Sequence, residues 1–169
     1  MVTIRPELPD DCATVLTIHQ RAFGRPEEAR LVEELRCIAD PKISLVAVLD
    51  TRVVGHIFFS PVTIERRSLS RAALGLAPMA VAPELQNQGI GSQLVRAGLD
   101  AARRAGHGIV VVLGHAHYYP RFGFEVASRR DLHYEFPAPD EAFMVAELIP
   151  GALSGVSGVV KYLPAFSQV

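Results

Sequence analysis

Apolar and polar positions change period several times along this chain, and each change marks a candidate element. Residues 2–5 read as a short strand stopped at Pro6. Asp10 and Asp11 suit a helix start, and Val15, Leu16, His19 and Phe23 follow at roughly helical spacing. Pro26-Glu27-Glu28 opens a second helix, with Leu31, Leu35 and Ile38 along one stripe. Residues 44–49 form a strand that ends in an Asp50-Thr51 turn, and the return strand runs from Val53 through Phe59 toward Ile64. Pro61 inside it predicts a bulge or an edge. Residues 72–81 give the next strand. Pro78 cannot donate to a ladder, so a bulge or a splayed neighbour is expected there.

From 92 to 105, Leu94, Ala97, Gly98, Ala101 and Ala105 make a stripe of mostly small residues that lets a helix lie close against a sheet. Arg96, Asp100 and Arg104 alternate in sign at i,i+4 spacing, and Gly106 ends the segment. Residues 109–113 are apolar throughout, as in a strand covered on both faces. Residues 118–122 read as one short helix, and Gly123-Phe124 leads into another strand. Residues 143–148 and 159–163 supply two more. The order β-α-α-β-β-β-α-β-α-β-β predicts a mixed α/β (α+β) architecture. One helix links two strands after a glycine turn, within a largely antiparallel sheet covered by helices on both faces.

Composition narrows the function more than the fold. At 169 residues the expectation is a single domain over residues 1–169, with 49% hydrophobic and 21% charged residues. A net charge of −1 gives no bulk attraction to nucleic acid or to an anionic membrane. Cys12 and Cys37 lie in helix-like segments without zinc-ligand spacing, so reduced thiols and no metal are expected. Met-Val-Thr-Ile-Arg-Pro opens no apolar run of signal-peptide or membrane-span length, and a cytoplasmic location is expected.

Candidate chemistry concentrates in Gln86-Asn87-Gln88-Gly89-Ile90-Gly91, between the strand ending at Val81 and the helix starting near Ser92. Strand, glycine turn and helix start together hold phosphate, because glycines admit close approach and unpaired amides point outward at an anion. The residues fit neither Gly-x-Gly-x-x-Gly nor a loop ending in Gly-Lys-Ser/Thr. They fit Gln/Arg-x-x-Gly-x-Gly/Ala. A bare Gly-x-Gly is equally a tight turn before a close-packed helix, so the flanking context decides.

That context is Val81-Ala-Pro-Glu-Leu-Gln-Asn-Gln-Gly-Ile-Gly91 followed, after the next strand, by Tyr118-Tyr-Pro-Arg-Phe-Gly-Phe124. In this order the two segments resemble motifs A and B of the GNAT superfamily of acyl-CoA-dependent N-acyltransferases. The resemblance covers residues 2–148, and residues 114–124 with Pro150-Gly-Ala-Leu resemble its YhbS-like branch. It implies that backbone groups of Met79, Ala80 and Val81 hydrogen-bond the pantetheine arm of acetyl-CoA. It also implies that the amides of Gln88, Gly89, Ile90, Gly91 and Ser92 hold the pyrophosphate, with Gln86 as the first polar position of the motif and Asn87 within it. Tyr119, four residues before Gly123, takes the position of the family's general-acid tyrosine, and Tyr118 its apolar packing position.

The implied reaction sets a chemical requirement. An alkyl ammonium with a pKa of about 10 leaves roughly one molecule in a thousand as nucleophile at pH 7, a handicap of about 4 kcal/mol. A base or a water chain must take that proton, and the leaving thiolate benefits from a donor. A tyrosine phenol can supply the donor and remain protonated at neutral pH. The chain departs from the family where an Asn usually follows the strand. Val112 stands there, followed by Gly114-His115, and His115 is a substitute candidate or a loop histidine. No carboxylate lies in strand 72–81. Glu84, in the turn, and His56, on an apolar strand face, are alternative bases whose plainer readings are an exposed acid and a core histidine. Arg121 is a candidate phosphate contact or a surface residue.

The function so implied is direct acetyl transfer from acetyl-CoA to a primary amine of a small molecule or peptide. Neither cysteine lies near the motifs to carry a covalent intermediate. The alternative is a non-catalytic acyl-CoA sensor on the same fold. Arg66-Arg67 and Arg129-Arg130 are too short for a nucleic-acid surface. Acceptor specificity would come from residues 23–40, 64–72 and 125–142, and the apolar tail is a candidate homodimer surface.

Overall fold

The computed structural model describes all 169 residues. The chain forms β1 (Val2–Pro6), α1 (Cys12–Phe23), α2 (Glu27–Ile38), β2 (Ile43–Leu49), β3 (Arg52–Arg66) and β4 (Leu69–Val81). After these come α3 (Ile90–Arg104), β5 (Ile109–Leu113), β6 (Glu125–Val126), β7 (Leu132–Tyr134), β8 (Phe143–Glu147) and β9 (Gly158–Lys161). The strand order is β1-β2-β3-β4-β5-β8-β6, with β9 pairing β3 and β7. Of the ladders given by residue register, β4–β5 and β7–β9 are parallel and the others antiparallel. The predicted mixed, largely antiparallel sheet with a helix between β4 and β5 is what forms.

Two compact units share the long strands. The first holds Met1–Ser60, Ala77–Gly98 and Pro164–Val169, and the second Pro61–Leu76 and Leu99–Leu163. In the first, β2 and β3 meet at a two-residue turn where Asp50 and Thr51 both take positive φ, as this kind of hairpin requires. Val46 pairs with His56 and Ala47 with Gly55, so the two faces of β3 alternate between different neighbours. On one face Val46 packs with Val15 of α1 and Val32 of α2. On the other, a Cβ built at Gly55 would lie 3.1 Å from Leu94 of α3, and one at Gly98 would lie 2.3 Å from the Phe59 ring. Helices therefore cover both faces of this part of the sheet, and the small-residue stripe brings α3 close. The first helix starts at Asp11, whose carboxylate accepts from the Leu8 amide at 2.7 Å and from the forked guanidinium of Arg5.

In the second unit, β5 pairs with β4 and β8, and β8 also with β6, while the far half of β3 pairs with β9. Val62, Ile64, Val111, Leu132, Phe143, Val145, Val156 and Val160 form its core.

Two expectations need correcting. Residues 118–122 do not make an α-helix: Tyr119–Phe122 is one 3-10 turn, with Pro120 inside it and Gly123 in the left-handed conformation behind it. Strand β7 carries too few residues to show a period. Pro61 takes the edge alternative: it falls between the β2 ladder ending at Phe59 and the β9 ladder starting at Thr63, with no strand paired to it on that side. The β2–β3 ladder is irregular between Ala47 and Val48. Ile38 is 50% exposed; Ala29, Leu31, Val32 and Leu35 make the buried face of α2. The C-terminal turn Pro164–Gln168 contacts α2 and has Ala165 buried.

Replacing Gly98 by Val should destabilise the fold by about 1–3 kcal/mol, since the added carbons must displace the fully buried Phe59. Urea unfolding of the variant against the parent protein measures this, and an unchanged midpoint would mean that α3 is not held against Phe59.

Candidate active site

The segment after β4 is a tight turn that leads into α3. Pro83–Leu85 makes a single 3-10 turn, Gln86 is extended, and Asn87 and Gly89 take positive φ of 64° and 87°. The first bond of α3 runs from the Gln93 amide to the Gly89 carbonyl at 3.1 Å, so the amides of Ile90 and Gly91 have no acceptor one helical turn back. Nothing lies within 4 Å of where a Cβ on Gly89 would stand. Ile90 is buried and anchors the helix start from below. Two side chains fix the turn. Gln86 Nε2 donates to the Val81 carbonyl at 3.0 Å, and Gln88 Nε2 reaches the Glu84 carbonyl at 3.5 Å.

At the end of β4 the backbone alternates between its neighbours. The Ala82 amide donates to the Val54 carbonyl at 2.8 Å, and the Ala80 carbonyl sits 3.3 Å from a Cβ built at Gly55. Residues 80 and 82 thus turn toward β3, and strand geometry turns the polar groups of Met79 and Val81 the other way. This separates Ala80 from the other two residues named from sequence. The Val81 carbonyl is taken by Gln86, which leaves the Met79 groups and the Val81 amide on the outward edge. Pairing of β4 with β5 is confined to Leu74–Val110 and Gly75–Val111, so the strand is splayed well before Pro78.

Tyr119 sits in the 3-10 turn with 7% of its surface exposed. Its ring packs edge-on against Tyr118 and Phe124, at 5.1 and 5.6 Å between centroids. Gly114 makes room for it: a Cβ there would lie 2.6 Å from the ring. Burial, reinforced by Tyr118, pushes the phenol up to about 12, so it stays protonated throughout the neutral range. Sequence reading took Gly114 as a departure from the family pattern and as the start of the segment resembling the YhbS-like branch, but not as space for Tyr119.

The alternative bases separate cleanly. His56 is fully buried, with Nδ1 2.8 Å from His19 Nε2 and Nε2 2.8 Å from Ser44 Oγ and 3.3 Å from Glu7 Oε2. Both nitrogens are engaged, which makes it a core histidine. Glu7 is held in turn by Arg36 at 2.7 and 2.9 Å. If His56 Nε2–H faces Glu7, its Nδ1 accepts from His19, and His19 Nδ1 is left as a buried acceptor without a donor. Glu84 is exposed and bound to Arg21 at 2.6 Å, and that guanidinium holds its carboxyl below the usual range. His115 is exposed; its carbonyl accepts from the Tyr118 and Tyr119 amides. Arg121 lies over the Tyr118 ring at 4.8 Å. No cluster of three or more metal-ligating side chains exists, and no helix is long and apolar enough to cross a membrane.

Comparison with known proteins bears on this geometry. Residues 3–127 match the acetyltransferase (GNAT) domain family. The N-acetyltransferase YhbS of Escherichia coli (strain K12) is 39% identical over 98% of both chains. The crystal structure of YhbS from Escherichia coli in complex with CoA superposes with a TM-score of 0.90 at 38% identity, covering 99% of this chain and 92% of that one. A GNAT family acetyltransferase from Brucella melitensis, crystallised with acetyl-CoA, gives a TM-score of 0.80 at 34% identity over 98% of each chain.

The histidine pair carries a pH prediction. Burial first, with Arg36 adding and Glu28 opposing, lowers His19 from 6.5 to about 4, and burial beside His19 depresses His56 as well. The unfolded chain therefore binds more protons than the folded one between these values. His19 stability is fully present above about pH 6.5 and is lost as pH falls toward 4, a loss of about 3 kcal/mol. Asp11, lowered from 3.8 by Arg5, acts in a more acidic window. Urea unfolding at pH 7, 6, 5 and 4 should show the decline, and a His19→Gln/His56→Gln variant should flatten it. A flat profile for the parent protein would show that the imidazoles are not buried neutral.

Proposed function

Because the chain belongs to the GNAT acetyltransferase family, an N-acetyltransferase by class, we propose that residues 79–92 bind acetyl-CoA and that Tyr119 assists transfer of its acetyl group to a neutral amine. The observation that carries this reading is the α3 start, where amides without helical acceptors stand beside open space at Gly89. The CoA and acetyl-CoA held by the two solved relatives support the choice of ligand. The pyrophosphate is assigned to the amides of Gln88, Gly89, Ile90, Gly91 and Ser92, where the helix dipole adds attraction. Gln86 and Asn87 shape that turn. The pantetheine arm is assigned to the outward backbone groups of Met79 and Val81. Ala80, turned toward β3, contributes only its small side chain.

In the reaction the amine nitrogen bonds to the thioester carbonyl carbon, the C–S bond breaks, and the nitrogen's proton leaves to water. The Tyr119 phenol, near 12, is a weaker acid than a thiol at about 8.5. Complete proton transfer to sulfur would run uphill by about 5 kcal/mol. The phenol therefore acts by donating a hydrogen bond to the sulfur as charge develops there. With His56 engaged and Glu84 paired, a water chain is the proposed proton path, and the rate follows the amine's own deprotonation. The proposed extent is one acetyltransferase domain over residues 1–169, and the acceptor is a small-molecule or peptide amine. The proposed setting is the cytoplasm, where the free Cys12 and Cys37 stay reduced. An acyl-CoA sensor would keep the glycine turn without needing Tyr119, and this difference separates the two readings.

Gly89→Val should weaken CoA at least tenfold while the protein stays folded, because the branched side chain enters the open space and Gly89 has φ of 87°. Calorimetric titration with CoA checks this, and unchanged affinity would remove the loop assignment.

Tyr119→Phe keeps the packing and deletes the donor. With an amine found by screening for thiol release, kcat should fall by about one to three decades at little change in CoA affinity. Parent-like turnover under chemistry-limited conditions would leave Tyr119 as a packing residue.

A further inference from the structure

The hairpin joining β3 to β4 carries a second feature, outside the residues assigned to acetyl-CoA and Tyr119. Arg66 ends β3, Arg67 sits in the turn with φ of 55°, and Arg71 follows on β4. Together with Ser70, Ser157, Ile64, Leu69 and Val156 they line a groove of about 350 Å³ that contains no carboxylate. Arg66 Nη1 donates to Ser157 Oγ. Arg67 and Arg71 make no ion pair, and the adjacent Glu65 is held by Thr63 at 2.8 Å and Lys161 at 3.5 Å. Three guanidiniums share this space without a counter-charge in a protein whose net charge is −1.

The groove wall is fixed. Gly158 has φ of 132°, and a Cβ on it would lie 2.3 Å from the Glu65 carbonyl oxygen, so residues 155–158 press directly onto the β3 backbone. The Glu65–Val159 pairing sets the register that places Ser157 beside Arg66. Ile64 and Val156 are buried and give the groove an apolar floor, while Leu69 stands exposed at its lip.

We propose that this groove binds a small organic molecule that carries a phosphate or carboxylate on an apolar body. The guanidinium forks match the paired oxygens of either group, and a planar fork loses little freedom in binding them. The apolar floor takes the body, and the volume lies in the range of small-molecule sites. The site shares no residue with those assigned to acetyl-CoA.

The test uses the full-length protein saturated with CoA, so that the amides of residues 88–92 are already occupied. Phenyl phosphate and phenylacetate are titrated separately by calorimetry, against the parent protein and an Arg67→Asn/Arg71→Gln variant. Asparagine tolerates the positive φ at 67, and both positions are exposed, so folding should be retained. Saturable binding by at least one probe, weakened tenfold or more in the variant at unchanged CoA affinity, is the expected result. The probe that binds tells phosphate from carboxylate. No binding by either, equal affinity in the variant, or binding only by a long polyanion such as heparin would overturn the proposal. Failure of CoA itself to bind would count against the acetyl-CoA assignment and not against the groove, whose probes can then be titrated alone.

Discussion

How near α3 comes to β3 decides where its N-terminus points, and two missing side chains decide that distance. Gly55 leaves room for Leu94, and Gly98 leaves room for the Phe59 ring. A helix bearing full-sized residues at those contacts would ride higher on the sheet. Its first amides would then no longer follow directly from the strand end at Val81. The turn before α3 is in this sense a product of core packing as much as of its own glycines. Dense interiors leave little slack for such a shift.

The opposite face of β3 meets a different constraint. His56 is a polar residue on an otherwise apolar face, and the chain surrounds it with Ser44, Glu7 and His19 instead of replacing it. A buried group of this kind is tolerable only while each donor finds an acceptor. Glu7 is fixed in turn by Arg36, so the segment just after β1 is tied to α1, α2, β2 and β3 by a single polar chain in addition to the Val15, Val32 and Val46 packing. That chain holds the histidine that sequence reading offered as a base inside the core, with both ring nitrogens engaged.

Much of this was legible in the sequence, and the failures have identifiable causes. The three α-helices, the hairpin turn at Asp50-Thr51 and the α3 stripe follow from period and from turn residues. The turn at residues 86–91 was readable as a turn because Gly89 and Gly91 stand between a strand end and a helix start. What escaped was whatever depends on partners distant in sequence. Periodicity put His56 on an apolar face but could not name His19, 37 residues away, as its neighbour. Nor could it see that Ala80 and Met79 face opposite edges, which is settled by the Ala82–Val54 bond. Residues 118–122 misled because aromatic spacing imitates a helix where Pro120 and Gly123 permit only one turn.

The bond from Gln86 to the Val81 carbonyl has a chemical consequence for how this position can drift. The turn needs a donor there, and a negative charge facing the carbonyl oxygen would repel it. Arginine satisfies both demands and so does glutamine; glutamate satisfies neither. Yet glutamate is what glutamine becomes when its amide is slowly hydrolysed. The carboxamide that closes the loop is thus also its ageing point, where loss of one nitrogen atom turns a clasp on the carbonyl into a repulsion.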